Sequence, residues 1–362
     1  MKRWLGVLVL LLTLAAATAF AEEEDDWTKA IRLTGYLDAR VLFTSLTPNT
    51  DGVDSTRRSD VLMRYVSLGA YFDPLDYLTG RALITMENTA DNLYVEEGYL
   101  TVRYPWSVTP YVTIGYRGLP TGSFLSYAVE YPLVYNLFAV YRTALSPGVA
   151  SDYFDVHASL FNGSNENVDA DGEAADDTID TFIVHGEVYP LAFQEAYQLV
   201  LGGYYLNDAT ETDYDLSQLL QRNYEDNVPA YGVYLNFTLP FTEMIGLGFN
   251  GEYSSTGKFD KQNYVDNAGD ETAISAGNIE LALLLFEQSV QVGGKMEFVR
   301  GMDWLGMQAN DPDQEITSYN RYGGFAGYDP WPFLHIGARY LAGADNEQNR
   351  DSEFQFQTAV TF

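Results

Sequence analysis

There is no cysteine among the 362 residues. No disulfide framework can hold the chain together, and no lipid-anchor cysteine follows its start. Basic residues are scarce: 20 Lys and Arg stand against 51 Asp and Glu, for a formal charge of −31. That balance argues against nucleic acid as a partner, since phosphate binding needs basic patches, and against an anion-selective channel. The three histidines, His157, His185 and His335, are far apart in sequence and no G-x-S-x-G element is present. No catalytic residue is therefore assigned and no enzyme is expected. Long apolar runs are also missing. After Ala21 no segment reaches the roughly 20 residues a spanning helix needs. A membrane-embedded mature chain would have to be a closed barrel, because only helices and barrels satisfy every backbone group in lipid.

What is present begins with a basic start, Lys2-Arg3, and an almost unbroken apolar stretch from Trp4 to Ala17. Ala19-Phe20-Ala21 fits a small-x-small cleavage site, followed at once by Glu22-Glu-Glu-Asp-Asp26. Residues 1–21 read as a secretory signal peptide. Residues 22–29 read as a short acidic periplasmic segment, and 30–362 as one barrel domain. Losing Lys2 and Arg3 takes the formal charge from −31 to −33. The chain is rich in Tyr (28), Phe (20) and Gly (31). Mean hydropathy is near neutral, −0.16, as expected where lipid-facing and lumen-facing residues alternate and cancel.

The last nine residues, Phe354 to Phe362, alternate with a period of two. Phe354, Phe356, Thr358, Val360 and Phe362 form one face, Gln355, Gln357, Ala359 and Thr361 the other. That is a strand. A strand ending an exported chain on an aromatic residue resembles the closing strand of a bacterial outer-membrane β-barrel. The resemblance implies that Phe354, Phe356, Val360 and Phe362 are read as an assembly signal by the barrel assembly machinery.

Two kinds of connection separate further alternating segments. Long, acidic ones include 44–60, 162–177, 208–227, 255–270, 301–315 and 345–351. Short ones carry Pro and aromatics, as in Tyr71–Tyr77, Tyr104–Pro110, Tyr189–Phe193, Leu239–Phe241 and Tyr328–Phe333. Long and short mostly take turns, as external loops and periplasmic turns do in such barrels. The aromatics of the short turns would form the periplasmic girdle. The spacing predicts an all-β, antiparallel up-and-down transmembrane barrel of about sixteen strands. Fourteen or eighteen remain open because 118–150 is hard to parse. Among the expected spans are 109–117, 137–146, 152–162, 178–189 and 271–286. In 109–117, Val112, Ile114 and Tyr116 are expected to face lipid, and Tyr111, Thr113 and Arg117 the lumen. In 152–162, Asp155, His157 and Ser159 are expected inside.

Arg32, Arg40, Arg64, Arg81, Arg103, Arg117 and Arg142 all fall in the first six expected strands. Turned inward, they would make a basic wall in an acidic barrel. The adjoining connection 118–136 is long and apolar, with Glu130 as its one charge. It is expected to fold into the lumen as the third external loop, with Glu130 facing the arginines across a constriction. The competing reading puts these arginines at the rims, paired with Asp38, Glu87 and Glu97. Asp169-Ala-Asp171-Gly172 looks faintly like a calcium loop but lacks the closing Glu, so no metal or cofactor is assigned.

Tyr111-Val-Thr-Ile-Gly-Tyr-Arg-Gly-Leu-Pro-Thr-Gly-Ser-Phe124 and Glu130-Tyr-Pro-Leu-Val-Tyr-Asn-Leu-Phe-Ala-Val-Tyr-Arg-Thr-Ala144 resemble part of the LbtU-type siderophore porins. More loosely, they resemble the phosphate-selective porins. The resemblance implies a porin in the outer membrane of a Gram-negative bacterium, surrounded by lipid and lipopolysaccharide. It would pass small hydrophilic solutes by diffusion, with a ferric siderophore as one candidate. The alternatives are a substrate-specific channel, or a non-transport barrel whose acidic loops bind a partner. Monomer and homotrimer stay open, because lipid-facing and subunit-facing apolar strands look alike.

Overall fold

The computed structural model describes residues 31–48, 55–87, 93–128, 131–162, 179–190, 198–213, 227–260, 271–301, 319–345 and 350–362. The expected signal peptide and acidic N-terminal segment lie outside these residues, as do most of the acidic loops. The first strands are β1 (Ile31–Thr47), β2 (Thr56–Leu75), β3 (Leu78–Glu87), β4 (Leu93–Arg103) and β5 (Thr109–Leu119). A short helix, α1 (Leu133–Phe138), precedes β6 (Val140–Ala150), β7 (Phe154–Phe161), β8 (Thr181–Val188) and β9 (Gln198–Leu206). Next come β10 (Ala230–Pro240), β11 (Ile245–Thr256), β12 (Phe259–Asp260), β13 (Glu271–Thr272), β14 (Ser275–Leu285) and β15 (Val290–Arg300). The chain closes with β16 (Tyr319–Trp331), β17 (Leu334–Asp345) and β18 (Arg350–Thr361).

Sixteen of these strands form one closed antiparallel barrel, and β12–β13 is a two-stranded ribbon in the connection between β11 and β14. The expected strand 271–286 is thus split, with its first residues in the ribbon. The expected strand 137–146 is shifted: residues 133–138 are helical and β6 runs from Val140 to Ala150. Pro132 stands immediately before α1, where a missing N–H costs a helix nothing. That local signal outweighed the alternation seen further along. Among the described residues no helix is long and apolar enough to cross a membrane.

Period-two patterning explains the two surfaces. Outward positions such as Val61, Leu93, Leu100, Ile114, Val156, Val233, Leu281 and Phe354 are exposed and apolar. Inward positions carry hydroxyls that pair across strands: Ser67–Thr85, Thr101–Thr113 and Ser146–Ser159, each 2.8 Å apart. Such cross-strand pairs satisfy buried polar groups while holding register. At the short-turn end, Tyr77, Tyr104, Trp106, Phe241, Trp331 and Phe333 are exposed. The barrel seam joins β18 to β1 from Tyr36–Thr361 to Thr47–Arg350. Phe362 extends it: the Gly35 N–H donates to the Phe362 carbonyl at 2.7 Å, and the Phe362 N–H to the Gly35 carbonyl at 3.0 Å.

Three backbone irregularities lie on β2, β4 and β5. The β1 register skips Arg64: Asp38 pairs with Tyr65 and Ala39 with Met63. Glu96 is likewise skipped on β4, where Val95 pairs with Ile84 and Glu97 with Leu83. Both are β-bulges, which place two consecutive side chains on one face. The third is Gly115, at φ 136°, where a Cβ would collide with the Gly98 carbonyl. There β4 stops pairing with β5, at Gly98–Tyr116, whereas β5–β6 continues to Leu119–Val140. The end of the β5–β6 hairpin turns into the barrel.

Candidate functional site: a loop-narrowed lumen

The connection between β5 and β6 is the third at the long-loop end, and it crosses the lumen. Three carboxylates on the far wall hold it. Phe124 N–H donates to Glu252 Oε2 at 3.1 Å. Ser126 Oγ and Tyr127 N–H donate to Glu280 at 2.6 and 2.7 Å. Leu133 N–H donates to Glu297 Oε1 at 3.0 Å. The Tyr127 ring stacks on Phe325, centroids 6.4 Å apart, and would collide with any side chain added at Gly248. Val134, Leu137 and Phe138 of α1 join Phe161, Ile183, Leu206, Ile274 and Val299 in a buried apolar cluster. One side of the lumen at this level is therefore filled.

The same wall contains a buried ion network. Lys295 Nζ lies 3.0 Å from both Glu280 and Glu297, and Arg321 Nη2 lies 2.7 Å from Glu297. Glu280 and Glu297 thus each face a cation and a loop N–H at once. Charged groups this deep must be paired to be tolerated.

The opposite side keeps a cavity of about 710 Å³. It is lined by Tyr36, Tyr65, Tyr71, Tyr94, Tyr116, Tyr131, Tyr135 and Tyr141, together with Arg64, Arg81, Glu96 and Asp213. Arg64 and Glu96 are the two bulge residues, so the irregular backbone is what brings these opposite charges to the cavity. Tyr116 was expected to face lipid. It lines the cavity instead, because the inward turn at Gly115 brings the outer face of the hairpin end, with Tyr141, into the barrel.

Asp213, from the connection after β9, accepts from Tyr141 N–H and Arg142 Nη1. Burial pushes its carboxyl above the usual range and Arg142 pulls it back. Asp208 caps a 3-10 turn at Ala209–Glu211, accepting from Thr210 N–H at 3.0 Å and Val228 N–H at 3.3 Å. Burial raises it as well, against those two hydrogen bonds.

The seven arginines are not all brought together. Arg64 and Arg81 line the cavity. Arg81 also pairs with Glu97 at 2.7 Å, Arg40 with Asp38 at 2.6 Å, and Arg142 with Asp213. Arg117 stacks over Tyr99 at 5.9 Å. Arg32 stacks over Tyr71 at 5.7 Å, and Arg103 reaches Thr79 at 3.3 Å, both toward the short-turn end. Glu130 lies outside the described residues. On the last strand, Phe354 and Phe356 point outward and are exposed, Val360 shares their face, and Phe362 closes the seam.

Sequence reasoning missed a second lumen cluster. His157 on β7 pairs directly with His185 on β8, and Asp155 with Glu187. Tyr111 OH donates to Asp155 Oδ1 at 2.8 Å, and His157 Nδ1 lies 2.9 Å from the same oxygen. Tyr234 and Tyr189 both donate to Glu187, and His185 Nε2 is 2.7 Å from Tyr234 OH. Glycines make room for the long reaches: the Tyr111 ring lies over Gly148 and the Tyr234 ring over Gly202. The parity of β7 was readable, but its register with β8 depends on the long connection between them.

No protein family matches the chain, and no curated protein is significantly similar to it in sequence. Solved structures are similar in fold. OprB of Pseudomonas putida has a TM-score of 0.62 at 12% identity, over 92% of this chain and 94% of that one. OmpT, an outer membrane protein of Vibrio cholerae, has a TM-score of 0.53 at 12% identity, over 94% and 99%. The outer membrane channel DcaP of Acinetobacter baumannii has a TM-score of 0.53 at 11% identity, over 92% and 97%. At such identities the likeness is one of barrel architecture.

Proposed function

We propose that this chain is an outer-membrane porin that passes small hydrophilic solutes by diffusion through the tyrosine-lined cavity between the inserted loop and β1–β5. The observation that carries the reading is the pairing of an apolar outer wall with a cavity beside the inserted loop that tyrosine hydroxyls and charged side chains line. The apolar wall suits lipid, with lipopolysaccharide at the long-loop end and the short turns in the periplasm. Inside, Arg64, Arg81, Glu96 and Asp213 put charges of both signs on the lining, which sets a local field along the passage. Neutral polar solutes cross such a field more readily than strongly charged ones. The likeness to solved outer-membrane barrels supports the architecture on which this depends.

A ferric chelate is the finer candidate. The residues that resemble siderophore porins, Tyr111–Phe124 and Glu130–Ala144, include the hairpin end and α1, which build one side of the cavity. Proteoliposome swelling checks both. Neutral sugars and amino acids of increasing size should enter at rates that fall steeply with size. A ferric siderophore should enter only if it is the cognate solute. Swelling no faster than in protein-free liposomes, from barrels that migrate as folded, contradicts the porin reading.

A further inference from the structure

We infer that His157 and His185 form a two-imidazole site for a divalent transition-metal ion on the inner wall of the barrel between β7 and β8. The two residues are direct cross-strand partners, and their rings are 5.0 Å apart, centre to centre. Metal–nitrogen bonds of about 2.0–2.1 Å put two imidazoles on one tetrahedral ion with ring centres roughly 5 Å apart. The observed ring spacing is of that size.

The hydrogen bonds select the nitrogens. Tyr234 OH donates to Glu187, so its oxygen accepts from His185 Nε2–H. Tyr111 OH donates to Asp155, and the same carboxylate oxygen accepts from His157 Nδ1–H. Each ring then carries its proton on the bonded nitrogen and a lone pair on the other. Those other atoms, His157 Nε2 and His185 Nδ1, are buried without a hydrogen-bond partner. The His157 side chain is 9% exposed and that of His185 4%. An imidazole oriented through one nitrogen by a carboxylate or phenol, with the other bare, is how metal-binding histidines are usually held.

Charge agrees with the assignment. The charged groups acting on His185, apart from His157, are Glu187, Asp155 and Arg117. Two carboxylates against one guanidinium leave the site net negative, which suits a dication. Among the described residues no group of three or more His, Cys, Asp and Glu could hold a metal, so water completes the shell. Two imidazoles favour copper, nickel or zinc over calcium or magnesium. This assignment does not depend on solute passage.

The test is Cu²⁺ binding to the refolded full chain in detergent, in excess Mg²⁺ to occupy the acidic loops. Calorimetry should give one saturable ion per chain. The electron paramagnetic resonance spectrum at substoichiometric Cu²⁺ should show superhyperfine coupling to two imidazole nitrogens. His157→Gln and His185→Gln should each weaken binding at least about tenfold, while His335→Gln leaves it unchanged. A wild-type spectrum with oxygen ligands only overturns the inference without recourse to any variant. So does undiminished binding by the folded double variant.

Discussion

Replacing Lys295 by Met should destabilise the folded barrel by about 3–5 kcal/mol, the usual cost of removing one partner from a buried ion pair. Met matches the Lys stem in volume, so the loss is electrostatic rather than a cavity. Glu280 would be left with only the loop donors Ser126 and Tyr127, and Glu297 with Arg321 and Leu133. Both carboxylates are fully buried, so neither can turn to water. The inserted loop hangs on these same two groups, and its hold should loosen with them. Denaturant unfolding of the detergent-refolded protein measures the loss. Pairing Lys295→Met with Glu280→Gln should recover part of it by removing the stranded charge. A wild-type midpoint for the single variant would show that the network is not what holds this wall.

Deleting Phe362 should reduce the amount of folded barrel recovered from cells far more than it weakens a barrel already folded. In the folded state the residue supplies two backbone hydrogen bonds to Gly35, together worth about 1–3 kcal/mol, and a ring that covers the same glycine. The larger effect is expected earlier. We propose that Phe362, with Phe354, Phe356 and Val360, is read by the assembly machinery, in which case its loss weakens that signal. Comparing the heat-modifiable fraction in outer membranes with that after refolding separates the two effects. Equal, wild-type recovery in both settings would leave Phe362 with a seam role only.

The architecture was legible because barrel formation writes itself into the chain repeatedly. Alternation in strands such as 152–162 and 354–362, and the turn-taking of acidic loops with aromatic-Pro turns, each constrain the same topology. The inward course of the third loop was also readable, from its low charge. The cavity was much less so. A bulge shifts parity by one residue without leaving a mark in a single sequence, so the emergence of Arg64 and Glu96 together was hidden. Tyr116 misled for a different reason: its parity holds, but the hairpin end beyond Gly115 turns into the barrel. The arginines clustered in sequence, but their partners come from other positions and other strands: Asp38 two residues away, Glu97 on the next strand, Asp213 from the connection after β9. The three latching carboxylates, Glu252, Glu280 and Glu297, lie on strands whose facing loop is more than a hundred residues away. Only the closed barrel reveals what they hold.

The measurement that bears most directly on the porin reading is single-channel current through the refolded mature protein in a planar bilayer, with Arg64→Glu alongside. A diffusion passage past the inserted loop predicts steady steps from the wild type. It predicts a clear move toward cation preference in the variant, because Arg64 is a bulge residue at the cavity wall and its reversal puts a negative charge into a lining that already carries Glu96 and Asp213. No current from barrels that migrate as folded would contradict the account. Current whose selectivity ignores Arg64 would place the passage elsewhere in the lumen.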